Sequence, residues 1–227
     1  MAKLAVIVAG GSGLRMGNEL PKQFLLLNGK PILLYSVDAF LTAYPDVQIN
    51  LVIPKPYIDY TKELLQNFGY RSTIRIVEGG ETRFHSVKNG IKSASPADII
   101  FVHDAVRCLV TPALIQRCYE TACQNGSAIP VVPIRDSMRR CSPDGNSEVV
   151  SREHLFAVQT PQTFKAEVLL PAFDVPYNPT FTDEATVIEK AGQQVFTVEG
   201  EEQNIKITYP DDLQYAKWRL QLNTASS

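Results

Sequence analysis

The stretch of sequence best suited to chemistry is KLAVIVAGGSGLRMGNELPKQF, residues 3–24. Glycines cluster where an apolar, β-branched run ends, and two cations, Arg15 and Lys22, follow them. Glycines at the carboxyl end of a strand let the backbone turn tightly, so that successive N–H groups can point at an anion. The two cations add the fixed positive charge that a polyphosphate requires. The stretch therefore predicts a cradle for a nucleoside triphosphate.

Two standard phosphate-binding templates do not describe this loop. The dinucleotide fingerprint GxGxxG fails because Gly17 follows Gly11 and Gly13 one residue too late. The P-loop template GxxxxGK[ST] fails because the stretch contains no glycine-lysine-hydroxyl triplet. A tight turn without a ligand is the alternative reading of a glycine-rich loop taken alone.

The remaining pattern, GGSGLRMG followed by PKQF, resembles the N-terminal signature of sugar nucleotidyltransferases. It is most similar to that of the polyol-phosphate cytidylyltransferases, the family of 2-C-methyl-D-erythritol 4-phosphate cytidylyltransferase, usually written AAGxGxRM…PKQ. The resemblance assigns Arg15 and Lys22 to the charge that develops on the α-phosphate and the departing pyrophosphate. It also implies that four small residues bind substrate: Ala9, Gly10, Gly11 and Gly13.

The motif GGETRFHS at residues 79–86 is similar to the family's GGxxRxxSV. Paired glycines permit close approach to a flat base, and Ser86 can donate or accept a hydrogen bond at the edge of that base. A plain helix start is the alternative that these residues leave open. The resemblance implies that four of them bind substrate: Gly80, Glu81, Arg83 and Ser86.

HDAVR at residues 103–107 is similar to the family's HDAAR, although a valine replaces an alanine and a cysteine replaces the proline that follows. Asp104 is suited to holding a ribose hydroxyl or to orienting Mg²⁺. Arg107 can grip a phosphate with its fork of donors. The resemblance implies that both residues, together with Ala105, bind substrate. His103 is expected to be buried and hydrogen-bonded rather than a general base.

A polar segment at residues 134–156, with a turn at 142–146, predicts a β-hairpin that projects from the fold. We call this segment the arm. Because a two-stranded ribbon is marginal in water, a second copy of the chain is expected to cover it, the alternative being a flexible excursion. The sequence at 136–139 resembles the family's D-[ST]-[VIM]-[KR]. The resemblance makes Ser137 and Arg152 candidates for binding the second substrate's phosphate, across a dimer interface.

Three C-terminal motifs occur in the family's order: TPQ at residues 160–162, TDE at 182–184 and NIKIT at 204–208. The resemblance implies substrate binding by Thr160 and Thr182, although Thr182 is also a candidate helix cap. Lys206 is an isolated cation in an otherwise apolar run, which a lysine facing the phosphates would explain. The resemblance extends from residue 3 to about residue 213.

The implied reaction transfers CMP from CTP to 2-C-methyl-D-erythritol 4-phosphate and releases pyrophosphate. The attacking phosphate oxygen is already anionic near neutral pH, so no Ser–His or Cys–His pair is needed. Arg152 and Lys206 join Arg15 and Lys22 as the implied catalytic residues, and Arg107 helps to hold the incoming phosphate. Mg²⁺, the implied cofactor, is expected to be held mainly by CTP, with Asp104 as a possible protein ligand.

Two other functions stay open on the sequence. Ribitol 5-phosphate or a related pentitol phosphate is an alternative acceptor, because those enzymes share the first three motifs. A nucleotide-binding regulatory module without turnover is an alternative of another class. The cations Arg15, Lys22 and Lys206 argue against it, since a binder has little need for all three.

Composition sets the outer bounds. A chain of 227 residues with 44 % hydrophobic and 20 % charged residues is ordinary for one soluble nucleotidyltransferase domain spanning 1–227. A net charge of −2 argues against nonspecific binding to nucleic acid or to a membrane surface. The four cysteines match no zinc spacing and are expected to be reduced, which fits the cytoplasm.

The order of apolar segments predicts the elements that position these motifs. Strands are expected at 3–9, 23–27, 47–53, 72–78, 98–103, 127–132, 194–199 and 204–208. Helices are expected at 32–43, 57–68, 83–94, 112–125, 166–173, 185–191 and 210–222. The alternation predicts an α/β fold of the Rossmann-like nucleotide-diphospho-sugar transferase type: a mostly parallel, twisted sheet with helices on both faces.

Overall fold

Most of the predicted motifs that the structure describes lie along one edge of a mixed, mostly parallel sheet. A computed structural model describes residues 1–10, 20–70 and 74–225. The strands are β1 (Lys3–Val8), β2 (Leu26–Leu27), β3 (Lys30–Pro31), β4 (Gln48–Ile53), β5 (Ile74–Glu78), β6 (Ile99–Asp104), β7 (Ser127–Pro133), β8 (Met138–Cys141), β9 (Ser147–Val150), β10 (Phe156–Val158), β11 (Gln162–Lys165) and β12 (Thr197–Glu199). The helices are α1 (Ile32–Ala43), α2 (Ile58–Asn67), α3 (Arg83–Gly90), α4 (Pro112–Asn125), α5 (Ala166–Ala172), α6 (Glu184–Lys190) and α7 (Pro210–Ala225).

The eight strands of the main sheet are ordered β10-β7-β11-β6-β1-β4-β5, with β12 paired to β7. Strands β6, β1, β4 and β5 run parallel to one another. Strand β1 lies in their middle, and Ala5, Val6 and Ile7 are fully buried. A continuous apolar run is what a strand covered on both faces requires.

Helices cover both faces of the sheet, as predicted. One core cluster joins the sheet to α1, α2 and α4 through residues such as Ile7, Phe40 and Leu114. A second cluster joins the opposite face to α3, α5 and α6, and it includes Val6 and Phe164. Helix α3 lies close to the sheet at Gly90, where a Cβ atom would lie 2.4 Å from Val6 Cγ1.

Several predicted elements have different boundaries or are absent. The run 204–208 is not a strand: it bonds to its neighbour through the N–H of Ile207, which donates to the carbonyl of Val106. The expected strand at 23–27 is a 3₁₀ turn, Lys22–Phe24, followed by β2. Helix α3 ends at Gly90 rather than Ala94. Helices α1 and α4 have the predicted limits.

Strand β11 was not predicted, and it brings the TPQ motif to the site. It runs antiparallel between β6 and β7, with Gln162 opposite Val102. The cis peptide Thr160–Pro161 precedes it. Thr160 Oγ1 accepts the backbone N–H of Asp104, so Thr160 lies beside the end of β6, where the HDAVR motif begins.

The arm contains the predicted hairpin. Strands β8 and β9 pair antiparallel as a separate two-stranded sheet, with Met138 opposite Val150. Its side chains are largely exposed. Within the part of the chain that the structure describes, no helix is long and apolar enough to cross a membrane.

Candidate active site

A cavity of about 300 Å³ lies at the carboxyl ends of β1 and β6, beside the start of α3. Ligands of open α/β sheets bind at this edge. Most of the predicted site residues that the structure describes line it: Ala9, Gly10, Lys22, Gly80, Glu81, Arg83, Ser86, Asp104 and Lys206. A larger cavity of about 380 Å³, beside Asn50 and Arg75, contains none of them.

The 3₁₀ turn at Lys22–Phe24 connects the first motif to the rest of the site. Gln23 Nε2 donates to the carbonyl of Ala9 at 2.7 Å, and this bond ties the turn to the end of β1. Lys22 is buried, and its Nζ donates to the carbonyl of Ile207 at 2.7 Å. PKQ and NIKIT, 185 residues apart, therefore meet. Gly11, Gly13 and Arg15 lie outside the described residues, and their roles stay predictions.

The GGETR motif forms the wall of the cavity at the start of α3. Thr82 caps this helix by accepting a hydrogen bond from the N–H of His85. The N–H of Gly80 donates to Ser86 Oγ at 3.1 Å. A Cβ atom at Gly80 would lie 2.4 Å from His85 Cβ, so the backbone can only pass here as glycine. The arrangement presents backbone and one hydroxyl, the groups that fit a flat base edge.

Four charged side chains from four motifs form a continuous row along the cavity, each linked to the next by hydrogen bonds. Arg83 contacts Glu184 through both terminal nitrogens and donates from Nε to Asp104 Oδ1 at 3.1 Å. Lys206 Nζ donates to Asp104 Oδ2 at 2.7 Å. The Asp104 side chain is 11 % exposed and that of Lys206 is 45 % exposed, so the lysine is the member most open to a ligand.

The contacts keep Asp104 and Arg83 charged, whereas burial raises the pKa of Glu184. Burial alone would raise the pKa of Asp104, but the positive charges of Arg83 and Lys206 outweigh it and hold that pKa well below its usual range. Burial would likewise lower the pKa of Arg83, yet Glu184 and Asp104 raise it. Asp104 is therefore ionised throughout the neutral pH range.

His103 supports the site through its contact with Thr160. Its ring is fully buried, and Nδ1 shares a hydrogen bond with Thr160 Oγ1 at 3.1 Å. Thr160 Oγ1 also accepts the backbone N–H of Asp104 at 3.1 Å. Burial lowers the pKa of His103 to about 3, so the ring is neutral. This agrees with the expectation of a buried, hydrogen-bonded histidine and leaves it unsuited to be a general base.

Because the His103 ring is buried and neutral, we expect the free energy of unfolding to depend on pH. The unfolded chain takes up a proton near pH 6.5 that the folded chain rejects down to about pH 3, so stability falls as pH falls through this window. We expect a loss of about 2 kcal/mol of unfolding free energy between pH 7 and pH 5. In His103→Asn the free energy of unfolding should no longer fall between pH 7 and pH 5. His154→Asn, at an exposed position, should keep the pH dependence of the wild type. Equal slopes in denaturant titrations of all three proteins would contradict the burial argument.

Arg107 and Ala105 are not among the residues that line the cavity. Arg107 donates from Nη1 to the carbonyl of Asn204 at 2.8 Å and from Nη2 to that of Val158 at 3.2 Å. Its described contacts hold the loops around the site in place. Ala105 is fully buried. Substrate binding by both residues stays a prediction.

The remaining predicted residues lie away from the cavity. Ser137 and Arg152 are exposed on the arm. Thr182 is exposed beside α6, and the reading of Thr182 as a helix cap is wrong. Asp183 is the cap instead, because its side chain accepts the N–H of Thr186 in a capping box. The roles of Ser137, Arg152 and Thr182 toward substrate stay predictions.

Two residues of the site were not singled out from the sequence. Glu184 is the acidic partner of Arg83, and Gln23 is the anchor of the first loop. Both lie inside motifs that were recognised, TDE and PKQF, and both are buried polar residues. Their signal was the motif itself, since neither has a local pattern that distinguishes it from a surface residue.

The donor set of the cavity suits a metal ion that takes most of its ligands from a bound phosphate group. Among the described residues, no group of three or more histidines, cysteines, aspartates or glutamates is placed to hold an ion. The cavity does contain the ionised carboxylate of Asp104. One carboxylate together with substrate phosphates is a common way to bind Mg²⁺, so the residues present fit this ion.

Comparison with solved structures defines the class of protein. The chain superimposes on the crystal structure of 2-C-methyl-D-erythritol 4-phosphate cytidylyltransferase from Francisella tularensis with a TM-score of 0.81 and 30 % sequence identity. The match covers 96 % of this chain and 100 % of that structure. Together with the cavity at the carboxyl edge, this similarity makes the chain a nucleotidyltransferase of the α/β class.

The sequence comparisons identify the family. The sequence model of the 2-C-methyl-D-erythritol 4-phosphate cytidylyltransferase family matches residues 3–221, and the chain belongs to that family. The relative from Bacteroides fragilis that carries this name is 44 % identical over 216 residues, covering 95 % of this chain and 98 % of its own length. The relative from Bacteroides thetaiotaomicron is 45 % identical over 213 residues, covering 94 % and 97 %.

Proposed function

We propose that this chain transfers a cytidylyl group from CTP to 2-C-methyl-D-erythritol 4-phosphate. A phosphate oxygen of the polyol attacks the α-phosphorus, and the bond to the bridging oxygen of the β-phosphate breaks. The products are 4-diphosphocytidyl-2-C-methyl-D-erythritol and pyrophosphate, which carries away the electron pair of the broken bond. The observation that carries the proposal is one cavity lined by Lys22, Lys206 and Asp104, in a chain of this family.

The protein catalyses this reaction by positioning the two substrates and by stabilising the charge that develops on the phosphates. Lys22 is fixed by the carbonyl of Ile207 and places an ammonium group where the triphosphate gains charge. Arg15 is assigned the same task from the glycine-rich loop. Lys206, held by Asp104, steadies the incoming phosphate. A general base is unnecessary because the attacking oxygen is already anionic near neutral pH.

Recognition of the base falls to the opposite wall. The backbone at Gly80 and the hydroxyl of Ser86 line the cavity there, and both can pair with the edge of a pyrimidine. Glu81 adds an exposed carboxylate that can accept from an exocyclic amine or a sugar hydroxyl.

Mg²⁺ is the cofactor of the proposed reaction. Asp104 would hold it together with the phosphates of CTP. When bound, the ion neutralises part of the triphosphate's negative charge. The protein's own contribution is to keep Asp104 ionised, which the neighbouring cations Arg83 and Lys206 ensure.

We further propose that the chain is one nucleotidyltransferase domain that works as a cytoplasmic homodimer through the arm. The apolar residues exposed on the arm and on β10 form the proposed contact: Met138, Val149, Leu155, Phe156 and Val158. A second copy of this surface would shield the two-stranded ribbon, which is marginal in water alone. Ser137 and Arg152 would then bind the polyol phosphate in the partner's site.

The dimer proposal predicts a monomeric variant. Phe156 is 51 % exposed, so Phe156→Glu should disrupt the contact without disturbing the core. We expect sedimentation velocity to give a dimer for the wild type and a monomer for Phe156→Glu, with turnover reduced about tenfold or more because a positioning group is lost. Phe68→Glu, an exposed position on α2's end, should stay dimeric. A monomeric, fully active wild type would contradict the proposal.

Pyrophosphate release tests the proposed reaction itself. The purified chain is assayed with CTP, Mg²⁺ and either 2-C-methyl-D-erythritol 4-phosphate or ribitol 5-phosphate, with UTP and ATP as controls. We expect release with CTP and the methylerythritol phosphate. Release with the pentitol phosphate instead would overturn the acceptor, and CTP binding without release from either would favour a regulatory module.

A further inference from the structure

Glu184 is a buried carboxylate beside the cavity that does not line it. Its side chain is 1 % exposed and lies at the start of α6. Both carboxylate oxygens accept from the terminal nitrogens of Arg83, one of them at 3.0 Å. A two-point contact of this kind fixes the plane of a guanidinium group as well as its position.

The Arg83 guanidinium passes this constraint to the site. Its remaining nitrogen, Nε, donates to Asp104 Oδ1 at 3.1 Å. The other oxygen of Asp104 accepts Lys206 Nζ at 2.7 Å. Charge therefore alternates from Glu184 to Arg83, Asp104 and Lys206, and each side chain is oriented by its predecessor.

Stability gives no sufficient reason for burying Glu184. Removing a carboxylate from water is costly, and replacing a buried ion pair by neutral groups of similar volume is often neutral or stabilising. Asp104 already provides Arg83 with one negative partner. A second, fully buried carboxylate on the far side of Arg83 adds orientation rather than a needed counter-charge.

We infer that Glu184 is a positioning residue for the cytidylyl transfer: through Arg83 it fixes the Asp104 carboxylate and thereby the direction in which Lys206 presents its ammonium group. The inference rests on the proposed function for the reaction that is served. Glu184 itself does not line the cavity. Its effect is to hold Lys206 in the geometry that the incoming phosphate requires.

A double-mutant cycle separates positioning from a purely structural role. Glu184→Gln and Arg83→Gln each leave an uncompensated buried charge or an unpaired donor, so both should lower the thermal midpoint. The double variant removes both charges and should recover most of that loss. Its turnover should stay about 10²-fold below wild type, with a raised KM for the polyol phosphate, because Asp104 then loses the contact from Arg83 that orients it.

Two further variants complete the design. Glu184→Asp keeps the charge but shortens the reach by one methylene, so it should fold stably and still lose turnover. Glu189→Gln, at an exposed position of the same helix, should match the wild type in midpoint and turnover. Full turnover in the double variant, or in Glu184→Asp, would overturn the inference.

The cycle also distinguishes failure of the inference from failure of the proposed function. If the wild type releases pyrophosphate with neither polyol phosphate, the proposed function is wrong. The thermal midpoints still test the coupling in that case, since losses of the two single variants that add up in the double variant would overturn it.

Discussion

Replacing Lys22 by alanine should lower turnover by a factor of about 10²–10³, the scale for deleting one preorganised charge stabiliser. Lys22 is buried in the cavity wall, and its Nζ is fixed by the carbonyl of Ile207 at 2.7 Å. A charge held in this way needs no reorganisation when the pyrophosphate leaves. Its removal should therefore affect the chemical step more than substrate binding.

Steady-state kinetics and a folding control make the Lys22 prediction decisive. Lys22→Ala should lower kcat and kcat/KM together, as expected for an interaction that is strongest in the transition state. Lys22→Met, which keeps the apolar length, should show the same loss without a cavity. Lys217→Ala, at an exposed position of α7, should match the wild type. Retained turnover in a folded Lys22→Ala protein would remove Lys22 from the catalytic residues.

The fold was predictable where local signals and burial agree. Helix α4 has its predicted limits because Thr111 caps it, Pro112 opens it and Gly126 ends it in the left-handed region. Strand β1 was predictable because its residues form a continuous apolar run, which is typical of a strand that is covered on both faces. In both cases the residues that specify the element lie inside or next to it.

The errors have a common physical origin in contacts between distant segments. The run 204–208 alternates like a strand, yet β11 takes the place beside β6 and leaves this run with a single bond to Val106. Strand β11 itself is too short and too polar to be recognised from its own residues. Which short segment enters a sheet depends on the whole topology rather than on the local pattern.

The candidate site was predicted as a set of residues but not as a geometry. The motifs indicated that Lys22, Asp104 and Lys206 belong together, and all three line one cavity. The partner of Arg83 was not predictable, because Glu184 lies 101 residues away. An arginine at the start of a helix has the same local sequence whether its guanidinium group faces a phosphate or a buried carboxylate.

Asp104→Asn should reduce turnover by about 10³-fold, because it removes the negative charge between two cations. Asp104 accepts from Arg83 on one oxygen and from Lys206 on the other. An amide keeps one acceptor and turns a donor toward the second cation, so one of the two contacts must break. Lys206 then loses its anchor, and the ligand proposed for Mg²⁺ loses its charge.

Two measurements check this prediction against a purely structural effect. Breaking a buried charge pair should lower the free energy of unfolding by about 3 kcal/mol, which denaturant titration measures. At a temperature where the variant is fully folded, turnover should still be low and the Mg²⁺ concentration for half-maximal rate should rise. Asp59→Asn, whose side chain is 90 % exposed, should change neither quantity. If Asp104→Asn lost stability but kept its turnover, the Asp104 carboxylate would be a structural counter-ion. The linked charged side chains from Glu184 to Lys206 would then have no catalytic function.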